Sequence, residues 1–284
     1  MSRKKSWMLV GVAALLLSAC SGNAGKQQKT EAMADSMQIT DNGIKTIRLD
    51  GMEVTWIQDN EGEHLMPVSL FSDASDKLID SLGVQNGIPS SMSTFLVKTA
   101  DATILFDTGK GLKNSCLTSR LQSLGIAPAD IKYIYLTHFH GDHIGGMLKG
   151  DSVIFPNAQV YAAKMEYDGW MVMPDDAKEQ AERVMSAYKD RLHLFEFGDT
   201  LPGNVVAMKA VGHTPGHTVY QTGKLLIIGD LIHGAALQMV NPEICASFDM
   251  DKKAVIESRK SFLNYAKENG LTIAGMHLPA PAFR

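Results

Sequence analysis

Cysteine is scarce: three in 284 residues, none in a C-x-x-C pair. That excludes a disulfide-built scaffold and a thiolate zinc finger. No apolar run reaches the roughly 20 residues that a membrane-spanning helix needs. The G-x-S-x-G turn that carries a serine nucleophile in many hydrolases is missing. Positive charge is in deficit, with 27 Lys and Arg against 31 Asp and Glu for a net charge of −4. No basic stripe offers itself to a nucleic-acid backbone. There is no close internal repeat, and low-complexity sequence is confined to residues 21–36.

The N-terminal segment reads as an address. Arg3, Lys4 and Lys5 precede a short apolar stretch over 8–17, too short to span a bilayer and shaped like the core of a secretory signal. Leu17-Ser18-Ala19-Cys20 resembles a bacterial lipobox, which implies cleavage before Cys20 and lipidation of its thiol. The division expected is a lipoprotein signal peptide over 1–19, a small, polar tether over 20–36, and one large domain over 37–284. Loss of Arg3, Lys4 and Lys5 would take the net charge from −4 to −7. About 250 residues then remain, ample for one large core. Cys116 and Cys245 are expected to be separate thiols. Ser21 follows Cys20 where an aspartate would signal inner-membrane retention, so the expected location is the cell envelope, lipid-anchored on the periplasmic side or in the outer membrane.

Histidine is present only nine times, yet His138, His140 and His143 fall within six positions together with Asp142, as H-x-H-x-D-H. Imidazole and carboxylate are the ligands of a borderline metal such as Zn²⁺. The residues before the motif, 131–136, are β-branched and aromatic, as a buried strand should be. Gly145 and Gly146 follow, where backbone can pass close to other backbone. The ligands therefore sit where a strand runs out into a loop, as ligand sites do in open α/β sheets.

One loop cannot close a metal site, and the rest of the chain repeats its design. His213 and His217 lie in a G-H-T-P-G-H loop after the apolar run 205–211. Leu225-Leu226-Ile227-Ile228-Gly229-Asp230 is a strand ending on a carboxylate. Residues 271–277 form another, ending on His277. Strands are expected near 52–58, 93–98, 103–106, 132–136, 159–163, 205–211, 218–222, 225–228 and 271–275. Helices are expected near 117–124, 164–170, 176–189 and 252–268. The last places Val255, Phe262, Leu263 and Ala266 on one face, with Asp251 or Asp249 as its cap and Gly270 as its stop. Arg259 shares that apolar face and is expected to end in a buried ion pair, unless its stem merely snorkels.

Taken together, H-x-H-x-D-H, the G-H-T-P-G-H loop, the I-G-D strand end and a late histidine resemble the metallo-β-lactamase superfamily, from about Asn86 to Arg284. The Asp107-Thr108-Gly109 turn after a strand fits that family too. Gly229-Asp230-Leu231-Ile232-His233, Ser247-Phe248-Asp249, Arg259 and Gly275-Met276-His277-Leu278-Pro279 resemble its methyl parathion hydrolase and lactonase branch. The resemblance implies an α/β fold (an α+β sandwich) of αββα type, two packed mixed sheets flanked by helices. It implies two Zn²⁺ per chain, with Mn²⁺, Fe²⁺ or Co²⁺ as alternatives. His138, His140 and His213 would hold one ion, Asp142, His143 and His277 the other, and Asp230 would bridge them. Members of that branch usually continue past the H-L-P segment; this sequence closes at Arg284, so the last strand is expected to be absent or the sequence truncated.

The activity implied is hydrolysis of lactones, esters or phosphotriesters by attack of metal-bound hydroxide, with Asp142 aiming the nucleophile. A net positive centre favours neutral substrates that become anionic at the transition state. Other readings remain: a mononuclear iron oxidoreductase like the persulfide dioxygenases, a thioesterase like glyoxalase II, a true β-lactamase, or a non-catalytic metal-binding lipoprotein. The bridging Asp230 speaks against the first and third, the missing helical C-terminal region against the second, and the full ligand set against the last. The partners expected are a small-molecule substrate, a membrane through lipidated Cys20 and no nucleic acid, with a homodimer left open. His217 is expected to steady the His213 loop. His233 is a candidate substrate contact that residue type alone does not decide. Asp107 is expected to hold ligand histidines or loop N–H groups. His64 and His193 carry no motif and are expected to be ordinary residues. Met239, Leu237, Leu231, Leu278 and Phe283 are expected as apolar residues near the mouth, suited to an acyl or aryl group.

Overall fold

Two-residue alternation organises the strands. Val54 and Trp56, Phe95 and Val97, and Ile104 and Phe106 point to one face, while Ile57, Leu96 and Leu105 point to the other, as side chains on a pleated strand must. Both sets are buried, so the sheet they form has to be covered on both sides. The computed structural model describes residues 42–284. The signal, lipobox and tether expected over 1–36 lie outside the described residues.

The strands in chain order are β1 (Ile44–Leu49), β2 (Met52–Gln58), β3 (His64–Met66), β4 (Ile88–Ser90), β5 (Ser93–Lys98), β6 (Thr103–Phe106), β7 (Tyr133–Tyr135), β8 (Leu148–Lys149), β9 (Ser152–Val153), β10 (Gln159–Ala163), β11 (Leu192–Phe195), β12 (Thr200–Leu201), β13 (Val205–Lys209), β14 (Thr218–Thr222), β15 (Leu225–Ile227) and β16 (Thr272–Ala274). The helices are α1 (Asp76–Leu82), α2 (Leu117–Ser123), α3 (Gly141–Ile144), α4 (Lys164–Met171), α5 (Asp175–Ala187), α6 (Ala235–Gln238) and α7 (Lys252–Asn269).

A seven-stranded sheet runs β1-β2-β5-β6-β7-β10-β11 and a five-stranded sheet runs β12-β13-β14-β15-β16. The first is antiparallel from β1 to β6 and parallel from β6 to β11. The second is antiparallel except for its β15–β16 pair. Their inner faces meet through Trp56, Phe95, Phe106 and Tyr135 against Val205, Ala207, Tyr220 and Ile227. The outer face of the first sheet packs on Leu117 and Leu121 of α2 and on Ala181, Val184 and Met185 of α5. On the second sheet, Tyr265 of α7 hydrogen-bonds Gln221 of β14 at 2.7 Å, on the face opposite inward-facing Tyr220. This is the αββα arrangement.

Asp251 caps α7 by accepting from the Ala254 N–H at 3.0 Å, and Gly270 ends it in the left-handed region at φ 58°. Arg259 of α7 is fully buried; it donates to the Leu231, Pro242 and Ile244 carbonyls and lies 3.6 Å from Asp249. Chain beyond His277 does not stop at a loop. Ile273 and Arg284 exchange backbone hydrogen bonds at 2.7 and 2.8 Å, so residues 282–284 pair along β16 and Phe283 enters the core. The thiols of Cys116 and Cys245 are free. Among the described residues no helix is long and apolar enough to cross a membrane.

Candidate metal centre

The H-x-H-x-D-H loop leaves β7 and enters α3, a single helical turn with His140 at its head. Its position is fixed by backbone approach: a Cβ on Gly145 would lie 2.1 Å from the Lys110 carbonyl oxygen, and one on Gly146 2.0 Å from that of Thr108. The other ligand-type residues come from the second sheet. His213 follows β13, Asp230 follows β15, and His277 follows β16.

The structure brings all seven expected residues together. Ligand atoms of His138, His140, His213 and Asp230 lie within 4.8 Å of one another, as do those of Asp142, His143 and His277. Asp230 stands between the sets. Its Oδ2 is 3.6 Å from His138 Nε2 and 3.4 Å from His213 Nε2, while its Oδ1 is 3.1 Å from His143 Nε2. His277 Nε2 is 3.2 Å from Asp230 Oδ2 and 3.5 Å from Asp142 Oδ2.

Hydrogen bonding on the far side of each ring decides where the protons sit. His143 Nδ1 donates to Asp107 Oδ2 at 2.7 Å, His213 Nδ1 to Asp249 Oδ1 at 2.9 Å, and His277 Nδ1 to the Ser91 carbonyl at 3.0 Å. Thr137 gives its hydroxyl proton to Asp107, so its oxygen accepts from His138 Nδ1 at 3.0 Å. In their neutral form these four rings therefore turn bare Nε2 lone pairs inward, where a cation can take the place of a proton. The lone pairs of His138 and His213 meet at 3.3 Å. His143 Nε2 and Asp230 Oδ1 are both buried without a hydrogen-bond partner. Lone pairs converging on lone pairs and on a carboxylate repel unless cations lie among them, so this donor set fits divalent metal ions.

The electrostatics agree. Burial, with the charge of neighbouring histidines, holds His138 well below its ordinary value and takes His140 down to about 3. Burial opposes ionisation of Asp230, but His143, His277 and His233 overcome it and hold the carboxyl well below the usual range. His213 is also penalised by burial, yet hydrogen bonds to Asp230 and Asp249 push it up to about 9. Asp230 likewise raises His143 and His277 against their burial. The centre is rich in carboxylate and attracts positive charge.

Residues around the ligands hold them in place. Asp107 is fully buried at φ 57° and accepts from the Thr137 N–H, the Thr137 hydroxyl and His143. His217 does not face the ligand atoms: its Nδ1 donates to the Ala210 carbonyl, and its Nε2 accepts the Asp230 N–H at 2.9 Å. It thus steadies the Asp230 turn as well as its own loop. Gly229, at φ 51°, makes room, since a Cβ there would lie 2.5 Å from His217 Nε2. Asp249 grips His213 on one side and Arg259 on the other. Glu166 was not legible in the sequence. Its buried carboxylate accepts from the Phe139 and Gly216 N–H groups, the Thr214 hydroxyl and Trp170 Nε1, tying the His138–His140 loop to the His213 loop. The only local trace of it is a glutamate four residues before a tryptophan.

The centre opens into a cavity of about 440 Å³ lined by His64, Met66, Pro67, Leu70, Met92 and Phe248 together with His140, Asp142, His213, Asp230, His233 and His277. This corrects the expected apolar wall. Leu231, Leu237, Leu278 and Phe283 are packed in the core, and Met239 is exposed but does not line the cavity. The wall comes instead from β3, the turn after it and the segment before α7, because Leu231, Leu278 and Phe283 point into the sandwich and Leu237 into the smaller cluster with Met66 and Phe71. His64 is likewise not an ordinary surface residue. His193 is, with Nε2 on Gln159 and its ring stacked 4.7 Å from Tyr161. His233 lines the cavity with Nε2 2.9 Å from Asp230 Oδ2, its ring stacked on His277 and under Phe248.

Comparison with known proteins places this geometry. The chain is similar to a beta-lactamase-like protein 2 homolog of Caenorhabditis elegans, 27% identical over 180 residues, or 60% of this chain and 54% of that protein. Lactamase-like protein aptB of Emericella nidulans is 28% identical over 188 residues, or 63% and 53% of the two chains. The chain spans about half the length of these curated relatives. Among solved structures, AbOPH, a hydrolase in the beta-lactamase superfamily, superposes with a TM-score of 0.77 at 29% identity, covering 87% of this chain and 93% of its own. AidC, a dizinc quorum-quenching lactonase in complex with the product N-hexanoyl-L-homoserine, gives 0.76 at 28% identity over 86% and 94%. The family model of the metallo-beta-lactamase superfamily matches residues 89–277, from β4 through the last ligand-type histidine, and the chain belongs to that superfamily.

Proposed function

We propose that this protein is a dinuclear metal-dependent hydrolase of lactones and aryl esters, with phosphotriester cleavage as a weaker activity. The observation that carries this reading is the convergence of four bare Nε2 lone pairs and two carboxylates on one apolar cavity. His138, His140 and His213 would hold one ion, Asp142, His143 and His277 the second, with Asp230 shared. Divalent ions bound there, with Zn²⁺ first and Mn²⁺, Fe²⁺ or Co²⁺ as alternatives, supply Lewis acidity and a water acidified to near neutral pH.

The chain's own residues do the rest. Asp142 is the ligand-type carboxylate most open to the cavity, with a side chain 24% exposed. It accepts a proton from the attacking water at its carboxylate and fixes the direction of attack. His233 pins Asp230 Oδ2 and keeps the shared carboxylate in one rotamer. Met66, Leu70 and Phe248 exclude water and bind an acyl or aryl group by its apolar surface. No lysine or arginine lines this cavity, which disfavours substrates that start as anions.

The test is metal analysis of the purified protein alongside a panel of lactone, aryl ester, phosphotriester, phosphodiester and β-lactam substrates. About two ions per chain, and lactone or aryl ester turnover that chelation abolishes and metal restores, is the expected result. Full activity in metal-free protein, or good cleavage of β-lactams or phosphodiesters with neither lactones nor aryl esters touched, would overturn it. We also propose envelope localisation through lipidated Cys20. Cys20→Ala should release the protein to the soluble fraction; an unchanged membrane pool without acyl mass would refute that.

A further inference from the structure

Beside the catalytic cavity lies a second one of about 380 Å³, and the two share His64 and Met92 as wall. Their chemistry differs. Around the metal ligands the catalytic side is faced by Met66, Pro67, Leu70 and Phe248. Apart from Leu112 and the shared Met92, the side chains that line the annex are polar or charged, among them Asp59, Asn60, Glu61, Glu63, Lys110 and Ser115. A ligand occupying both would be apolar at one end and polar at the other.

His64 stands at the junction. It lies on β3, opposite Ser90 of β4 in a two-stranded hairpin. Ser90 donates to the His277 carbonyl at 2.8 Å, so the hairpin is fastened to the catalytic strand end. The ring feels His277 and Asp142 from the catalytic side and Lys110 from the annex. No side-chain hydrogen bond engages its nitrogens among the described residues, in contrast to the ligand histidines, each of which has at least one ring nitrogen committed. A half-buried imidazole with a donor and an acceptor to spare, placed between an apolar and a polar cavity, is suited to contact a substrate that crosses the boundary.

The annex also has a sign. Asp59 is spent on structure: it accepts from the Lys110 and Leu117 N–H groups and from the Ser115 hydroxyl. Glu61 and Glu63 are exposed and form no ion pair among the described residues, against the single cation Lys110. An anionic group there meets net repulsion, moderated by solvent.

We propose that His64 is a specificity-determining residue on the leaving-group side of the site, and that the annex takes a polar, non-anionic alcohol portion of the substrate. This rests on the hydrolase reading above. The substrate class is thereby narrowed to esters or lactones with an aryl or medium acyl group on one side of the scissile bond and a hydroxyl-bearing alcohol part on the other. The acyl group lies against Met66, Leu70 and Phe248; the alcohol part passes His64 toward Asn60, Asn114 and Ser115.

Three esters of one arylacetic acid test this with the metal-loaded full chain: the glyceryl ester, an alkyl ester of matched size, and the glycerate ester, which carries a carboxylate. The expected order of kcat/KM is glyceryl, then alkyl, then glycerate. His64→Leu should lower the glyceryl-to-alkyl ratio about tenfold, the size of one lost hydrogen bond at a discriminating site, with the change falling on KM. His64→Asn, which keeps a donor and an acceptor, should recover most of the ratio. Glu61→Gln with Glu63→Gln should raise the glycerate-to-glyceryl ratio several-fold. Melting temperature and metal content establish that each variant is folded and loaded. A glyceryl-to-alkyl ratio unchanged by His64→Leu, or equal kcat/KM for all three esters in the unaltered protein, overturns the subsite and leaves the hydrolase reading standing. Failure of the loaded protein to cleave any of the three, while lactones or aryl esters are turned over, overturns the subsite alone; failure on lactones and aryl esters as well overturns both.

Discussion

The two sheets supply the metal centre in different ways. The first contributes four ligand-type residues from one six-residue loop, His138 to His143, whose spacing is set by a single turn of backbone. The second contributes His213, Asp230 and His277 from the ends of three separate strands, held in common only because β13 to β16 lie in one sheet. The local loop still depends on distant support, from Asp107 under His143 and Glu166 behind Phe139. On the other side Asp249 grips His213 and Ser91 receives His277. Close spacing in sequence therefore does not make a ligand self-sufficient: the rings of His143, His213 and His277 each have their tautomer fixed by a partner 36 or more residues away.

The sharpest way to break the comparison is Asp230, the one residue close to both halves. Asp230→Ala should take metal content below two ions per chain and turnover to near background, measured by metal analysis and kcat. If only one half of the centre were affected, the shared position assigned to this carboxylate would be wrong.

A pair of substitutions sharpens it further. Asp107→Ala should weaken the His143 half and Asp249→Ala the His213 half, each by about 10- to 100-fold in metal affinity. Competition with a coloured chelator reads this for the two ions separately. Asp249→Ala should also lower stability by about 3 kcal/mol, because it strands Arg259 as an uncompensated buried charge. Equal metal loss without the stability difference would mean that the two supports are interchangeable.

A smaller effect should appear with pH. Metal and proton compete for the same Nε2 lone pairs, and His213 is pushed up to about 9 by Asp230 and Asp249. Apparent affinity should rise with pH until about 9, with proton release on binding seen by calorimetry in buffers of different ionisation enthalpy. In chelated protein the sign reverses. Raised above its unfolded value near 6.5, His213 adds stability that is full below that value and lost as pH climbs through about 9. A chelated melting temperature that rises over that interval would contradict the pairing.

The smallest effect belongs outside both regions. His193→Ala should leave metal content and turnover unchanged and alter stability by less than about 0.5 kcal/mol, since its ring lies on the surface against Tyr161 and Gln159.

The sequence by itself determined the ligand-type residues and the strand ends that carry them, while the αββα architecture was implied by its resemblance to the superfamily. H-x-H-x-D-H is a local pattern, and buried strands announce themselves by apolar runs and alternation. The helices α2, α4, α5 and α7 were legible to within a residue or two for the same reason. Short elements such as β3, β4 and α6 were not, because three or four residues carry too little periodicity to read. Only the tertiary structure decided what surrounds the metal centre. Whether Leu231, Leu278 or Phe283 faces a cavity or a core depends on how the two sheets stack, and all three went to the core. The tether formed by Glu166, the grip of Asp249 on His213 and the place of His64 between two cavities are contacts between residues far apart in the chain. Such pairings leave no spacing to find, since they are fixed by packing the sandwich and not by the turn of any one segment.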